Sequence, residues 1–209
     1  MIQKIFNRFQ IFISSMERRR EIWPFAEKLT SRHIKNCKLV EDRIKMLDFI
    51  PKGGVCAEIG ILKGDYSRYI LDIVKPQKLY LIDIDPKSIK VARKRFEDEI
   101  EQNLVQVHKK DSSDYLSSMP NETFDWIYID GDHSYEGVKR DLEAAHTKLK
   151  PDGLISLNDY IFFGSSDLTK YGIIEATNEF CLTYDYELIH FALHGRMYND
   201  VTIRRIKEK

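Results

Sequence analysis

The run Phe124-Asp125-Trp126-Ile127-Tyr128-Ile129 stops abruptly at Asp130-Gly131-Asp132-His133. Aromatic and β-branched residues in so short an apolar run read as a buried strand. The carboxylates and imidazole lead straight into Ser134-Tyr135-Glu136-Gly137-Val138, the start of a helical pattern. A strand that hands charged groups to a loop and then to a helix is the unit of an α/β sheet. In open sheets of that kind, ligands bind outside the carboxyl ends of the strands. One segment thus points to a fold class and to the place of a site.

The same alternation extends on both sides. Strands are expected at Val55–Ile59, Lys78–Ile84, Leu104–His108, Phe124–Ile129 and Leu154–Leu157. Helices are expected at Asp65–Val74 and Ser88–Ile100, with Asp65 and Ser88 as caps, within Asp111–Ser118, and at Glu136–Leu149. This predicts a parallel sheet covered by helices on both sides. After a helix at Ile173–Leu182, strands at Glu187–Leu193 and Asp200–Ile206 are separated only by a loop containing His194-Gly195-Arg196. That arrangement predicts an antiparallel pair finishing the sheet.

Residues 1–39 are expected to form a helical cap or oligomer segment, and residues 40–209 the α/β domain. Ile2, Ile5, Phe6, Phe9, Phe12, Ile13 and Met16 recur at helical spacing. Such a face suits packing on the domain, a homo-oligomer contact, or peripheral contact with a membrane. A second helical stretch is expected from Lys35 to Phe49, with Leu39, Ile44 and Leu47 inward, ended by Pro51-Lys52-Gly53-Gly54.

Basic and acidic residues each number 33, so the chain lacks the basic excess usual in nucleic-acid-binding domains. Arg18-Arg19-Arg20 reads as a solvated helix face. Cys37, Cys56 and Cys181 are too widely spaced for a zinc or disulfide framework and fit a reducing, cytoplasmic setting. Cys56 reads as a small core residue. No apolar run approaches the ~20 residues of a membrane-spanning helix, and the N-terminus lacks a signal-peptide pattern.

Glu58-Ile59-Gly60-Ile61-Leu62-Lys63-Gly64 closes the first strand of the alternating region. Glycines there let a ligand approach the backbone where the next helix begins. The dinucleotide fingerprint is G-x-G-x-x-G with an acid about 20 residues on. Asp83 supplies the acid, but the triple glycine is missing and Glu58 puts a negative charge where a pyrophosphate would sit. A cationic nucleoside, its ribose held by Asp83, fits better.

Glu58-x-Gly60-x-x-x-Gly64 resembles the first motif of the class I S-adenosylmethionine-dependent methyltransferases, and the resemblance extends from about Val40 to Ile206. It implies a Rossmann-like methyltransferase fold: a mostly parallel seven-stranded sheet, helices on both faces, and a C-terminal antiparallel strand pair. It also implies S-adenosylmethionine as cofactor. Glu58, Gly60 and Gly64 would hold it, with Ser67 near the methionine part, Asp83 at the ribose hydroxyls, and Asp111 and Ser112 at the adenine.

The segments after Ile129 and after Leu157 follow strands expected to be adjacent and parallel. Their ends would bring Asp130, Asn158 and Asp159 together, a hard oxygen set suited to Mg²⁺, Mn²⁺ or Ca²⁺ rather than zinc. The run Asp130-Gly131-Asp132-His133-Ser134-Tyr135-Glu136-Gly137-Val138 is similar to the small methyltransferases grouped with macrolide-sugar O-methyltransferases and cephalosporin hydroxylase-like proteins. Metal-dependent relatives hold the metal at positions matching Asp130, Asn158 and Asp159. Many of that group have His where this chain has Asn158; an acid–amide pair also occurs in catechol-type enzymes.

Asp130 and His133 form the candidate catalytic pair. His133 reads either as a general base or as a helix-start residue bonded to a carboxylate, with Asp132 orienting it. Tyr135 and Tyr160 either line the acceptor pocket or pack; His190 is expected to pack in its strand; His194 and Arg196 lie on a loop that an acceptor could pass. The expected function is metal-assisted O-methylation of a small-molecule hydroxyl on a sugar or natural product, by a cytoplasmic homo-oligomer with no nucleic-acid partner. A nicotinamide-dependent oxidoreductase and a non-catalytic S-adenosylmethionine-binding or membrane-associated module stay open as alternatives.

Overall fold

The computed structural model describes residues 26–165 and 168–207. The expected helix over Ile2 to Met16 and the Arg18-Arg19-Arg20 run lie outside the described residues.

The described chain begins with helix α1 (Ser31–Ile34), strand β1 (Lys38–Val40) and helix α2 (Arg43–Met46), which runs into a 3-10 turn at Leu47–Phe49. Then come β2 (Val55–Ile59), α3 (Asp65–Tyr69) with a π-helical turn at Ile70–Val74, β3 (Lys78–Asp83), α4 (Pro86–Arg95) and α5 (Glu97–Glu101). They are followed by β4 (Val105–Lys109), α6 (Ser112–Ser118), β5 (Phe124–Ile129), α7 (Tyr135–Lys148) and β6 (Leu149–Leu157). A two-stranded ribbon, β7 (Phe163–Gly164) with β8 (Thr169–Lys170), precedes α8 (Ile173–Tyr184), β9 (Tyr186–Ala192) and β10 (Asp200–Arg205). The main sheet has the order β1-β9-β10-β6-β5-β2-β3-β4. Only β10 runs antiparallel to its neighbours, so the predicted parallel sheet and its C-terminal antiparallel pair are both present.

Two apolar layers hold the helices on. The pleat of β5 sends Ile127 and Ile129 to one face and Trp126 and Tyr128 to the other. Val138, Leu142 and Ala145 of α7, with Phe180 of α8, cover the first face. Tyr66, Ile70, Ile89 and Phe96 cover the second. Full burial contributes about 1.5–3 kcal/mol per large apolar side chain. Cys56 is fully buried, as a small core residue should be.

Three local expectations are corrected. The helix expected from Lys35 to Phe49 is interrupted by β1, which pairs with the edge of β9 and makes eight strands where seven were expected. An open strand edge carries unpaired backbone groups, and three residues suffice to satisfy part of it. Leu39 consequently faces out, 74% exposed, while Leu47 is buried. The cap of α4 is Asp85, which accepts from Lys87 N–H and Ser88 N–H (both 3.2 Å), with Pro86 in the first turn. The cap of α3 is Gly64 in a left-handed conformation, and Asp65 is the first helical residue.

Candidate active site

Because β2, β3, β5 and β6 run parallel, their carboxyl ends share one edge. Gly60 N–H donates to Ile82 O (2.9 Å) and Asp130 N–H to Ile59 O (2.7 Å), stitching three strand ends together. Gly60 has φ +82°, and a Cβ there would lie 1.8 Å from the Asp130 carbonyl oxygen. Only glycine permits both. Asp83 Oδ2 accepts from Ile61 N–H (2.9 Å) and Leu62 N–H (3.4 Å), and Oδ1 from Asp85 N–H (2.8 Å), so it also fixes the loop's shape. Above this floor lies a cleft of about 750 Å³.

Glu58 lines the cleft yet is only 1% exposed, and its Oε2 has no hydrogen-bond partner among the described residues. Burial pushes its carboxyl up to about 8. An orphaned buried acid at a cleft wall is matched to a cationic ligand group. At the far wall Asp111 caps α6, and hydrogen bonds from the Ser113 hydroxyl and Asp114 N–H hold its carboxyl below the usual range. Ser112 Oγ donates to Asp141 Oδ1 (2.5 Å), and burial pushes Asp141 up to about 6. Glu58, Gly60, Asp83, Asp111 and Ser112 therefore meet in one cleft. Gly64 and Ser67 do not line it. Gly64 (φ +74°) forms the turn into α3 against the Phe96 ring, and Ser67 is fully buried.

Asp130 lines the same cleft, close enough to Glu58 for its charge to bear on that carboxyl. Its Oδ1 lies 3.3 Å from His133 Nε2 and its Oδ2 lies 4.0 Å from Arg43 Nη1. The His133 ring also packs on Tyr171, centroids 4.7 Å apart. Burial pulls the imidazole pKa down, but the Asp130 contact and the charges of Asp159 and Asp132 outweigh it, so the ring titrates above the ordinary histidine value.

Asn158 N–H donates to Ile129 O (3.0 Å), so the β5 and β6 ends do meet. Asp159 follows in the left-handed region at φ +55°, a conformation that Asp tolerates better than most residues. The Asn158 amide, however, donates Nδ2 to Asp200 Oδ1 (3.3 Å). Asp200 is buried on β10, accepts from Tyr128 OH (2.7 Å), and is pushed up to about 7 by burial.

The expected magnesium site is not supported. Among the described residues no group of three or more His, Cys, Asp and Glu side chains could hold a metal ion. Asp130 faces an arginine and a histidine, and a divalent cation there would meet the Arg43 guanidinium. Other assignments move too. Asp132 accepts from Ser134 N–H and Oγ (both 2.9 Å), so it shapes the start of α7 rather than orienting His133. Tyr135 OH bonds Glu179, and Tyr160 OH donates to Asn178 Oδ1 (2.5 Å), so both hydroxyls serve packing against α8. His190 packs in its strand as expected. His194 Nδ1 accepts from Arg196 N–H (3.2 Å), a bond internal to their own loop.

Arg43 is the main residue the sequence did not disclose. Its guanidinium lies over the Tyr66 ring (4.9 Å to centroid), and Tyr66 OH donates to Arg43 O (3.3 Å). It is the cation whose charge bears on Glu58. No motif marks it. Asp141 did carry a signal: it is an acid three residues after Val138 on the apolar face of α7.

A family described as a methyltransferase domain matches residues 57–160. No curated protein sequence matches the chain. Among solved structures, a putative rRNA-methylase from Clostridium thermocellum is 16% identical, with TM-score 0.64 over 82% of this chain and 99% of that one. The tRNA methyltransferase TrmK of B. subtilis is 19% identical, with TM-score 0.60 over 80% of this chain and 67% of that one. TrmK of M. capricolum, solved with S-adenosyl-homocysteine, is 14% identical, with TM-score 0.58 over 81% and 70%. At these identities the likeness is one of fold.

Proposed function

We propose that the protein is a class I S-adenosylmethionine-dependent methyltransferase that methylates a hydroxyl of a small molecule held beside His133, a reading supported by the methyltransferase-domain match over residues 57–160. The observation that carries this reading is the buried carboxyl of Glu58, whose Oε2 has no hydrogen-bond partner among the described residues, in the same cleft as Asp83 and Asp130. The cofactor supplies an electrophilic methyl group on a sulfonium. Its amino-acid head has one ammonium, which would draw the Glu58 carboxyl into its ionised form, and one carboxylate, which the Arg43 guanidinium beside Asp130 could take. Asp83 would take the ribose hydroxyls, and Asp111 and Ser112 would border the adenine.

At the acceptor end, Asp130 would accept the Nε2–H of His133. That leaves Nδ1 to receive the proton of the acceptor hydroxyl as its oxygen takes the methyl group. Holding the two reacting atoms in line is the larger contribution. Eight acids and four bases line the cleft, which disfavours an RNA phosphate backbone at its walls and supports a small acceptor. No step needs a metal.

Calorimetric titration with S-adenosylhomocysteine tests the reading. Binding is expected, with Asp83→Ala weakening it by about 100-fold, the scale of losing hydrogen bonds to a charged group. No binding by the unaltered protein would end the proposal. Release of S-adenosylhomocysteine across a panel of sugars and phenols then identifies the acceptor.

A further inference from the structure

A second cleft of about 710 Å³ lies at the opposite end of the strands, where β6 begins and β10 ends. Its size suits a small molecule, and its charge is one-sided. Lys35, Lys38, Arg204, Arg205 and Lys207 line it against one acid, Asp152, in a chain whose charges balance overall. Lys207 pairs with Asp152 (2.7 Å), and Arg205 donates to the carbonyls of His146 (2.6 Å) and Lys150 (3.3 Å). With Glu187 behind Arg204 counted as a second acid, the five cations keep an excess of three.

Arg204 is held in place from behind. Its Nε and Nη2 donate to Oε1 of buried Glu187 (2.9 and 2.8 Å), whose Oε2 accepts from Asn36 Nδ2 (2.6 Å). The wall of the cleft is aromatic. His190 on β9 is 6% exposed and packs on Phe49, ring centroids 4.9 Å apart. Its Nδ1 is buried and has no hydrogen-bond partner among the described residues. Burial, helped by the charges of Lys38 and Arg204, pushes the imidazole down to about 4, so the ring is neutral near pH 7. An uncharged ring pair beside an oriented guanidinium and two ammonium groups is more specific than a solvated basic patch, because a solvated patch needs no buried acid behind it.

We propose that this cleft binds a flat-ringed polyanion of the nucleoside di- or triphosphate class. The phosphates lie against Lys35, Lys38 and Arg204, and the ring lies against Phe49 and His190. Two to three excess cations match the charge of a diphosphate, and a base can stack on an aromatic wall without adding charge. This cleft and the one holding Glu58 and Asp83 lie at opposite ends of the strands, so both can be filled at once.

The test uses the full chain saturated with S-adenosylhomocysteine, so that an adenine nucleotide cannot enter the first cleft. Calorimetric titration with ADP and with inorganic pyrophosphate is expected to show binding of both. The double variant Lys35→Glu/Lys38→Glu, at two exposed positions, should weaken both at least tenfold and leave S-adenosylhomocysteine affinity unchanged. Phe49→Ala should weaken ADP while sparing pyrophosphate. Failure of the unaltered protein to bind ADP, or equal binding by the double variant, overturns the proposal. Unchanged ADP binding by Phe49→Ala overturns the stacking half of it.

Discussion

At the ends of β2, β3 and β4 the site is made of backbone and of acids at or next to a strand end. At the ends of β5 and β6 it is made of side chains steadied from far along the chain: Tyr128 is 72 residues from Asp200, and Asn158 is 42 residues from it. The first half tolerates little change in the loop, because the loop is the site. The second half can change partners without changing the fold. On the proposed reading, cofactor and acceptor recognition are separable, and substitutions should reveal the seam.

The largest expected effect breaks the first half. Gly60→Ala places a Cβ 1.8 Å from the Asp130 carbonyl oxygen at a positive φ. A cost of about 3–4 kcal/mol is expected, lowering Tm by roughly 10 °C. Gly195→Ala on the late loop, where an added Cβ meets nothing within 4 Å among the described residues, is the control and should leave Tm where it was. Thermal unfolding of the two side by side decides it. Equal Tm values would mean that the Gly60 loop adapts, and that the contrast between the two halves is false.

Next is the pH dependence of stability. Glu58 titrates at about 8 in the folded chain, above its ordinary value. The folded state therefore keeps a proton that the unfolded state has lost. Stability is full below the unfolded pKa and falls as pH rises toward 8, by an amount on the order of a few kcal/mol. Glu58→Gln should flatten that fall. Asp200, pushed up to about 7, makes the acceptor-side version of the same argument, and Asp200→Asn should flatten a narrower window that closes nearer 7. Urea unfolding from pH 5 to 8.5 measures both, and an unchanged slope in Glu58→Gln would show that its carboxyl is ionised throughout.

This contrast explains what could be read from the sequence. The strands and the acids Glu58, Asp83 and Asp111 were legible because each sits at a boundary between period-2 and helical patterning. Gly60 was legible because a glycine at that boundary has a backbone reason. Asp130 and His133 were legible as a pair because they are three residues apart. What Asp130, Asn158 and Tyr160 do was not, because their partners Arg43, Asp200 and Asn178 lie on other elements. A hard-oxygen set read from spacing alone could not anticipate that Arg43 would face Asp130 or that the Asn158 amide would turn to Asp200. β1 was hidden for the same reason: its partner, the edge of β9, lies some 150 residues away.

Arg43 sharpens the comparison at the seam itself. If it holds the cofactor's carboxylate, Arg43→Ala should weaken S-adenosylhomocysteine about tenfold, as expected for one partly exposed charged hydrogen bond. It should leave 5′-methylthioadenosine, which lacks the amino-acid head, unaffected. Equal loss for both ligands would assign Arg43 to the shape of the cleft, and no loss for either would assign it to Asp130 alone.

The smallest effect tests the second half alone. Asp130 beside Nε2, with Asp159 and Asp132 nearby, raises the His133 pKa against the pull of burial. The folded-state value lies above the ordinary one, so the stability this contact gives is present in acid and is lost as pH rises through it. As a base the ring is free only above that same value, so methyl transfer should climb with pH through a midpoint higher than an ordinary histidine would give. Asp130→Asn removes the carboxylate charge and should move the midpoint to lower pH, both in the His133 ring resonances and in the rate profile. A midpoint that does not move would leave His133 as a helix-start residue and remove the base from the acceptor half, with the cofactor half untouched.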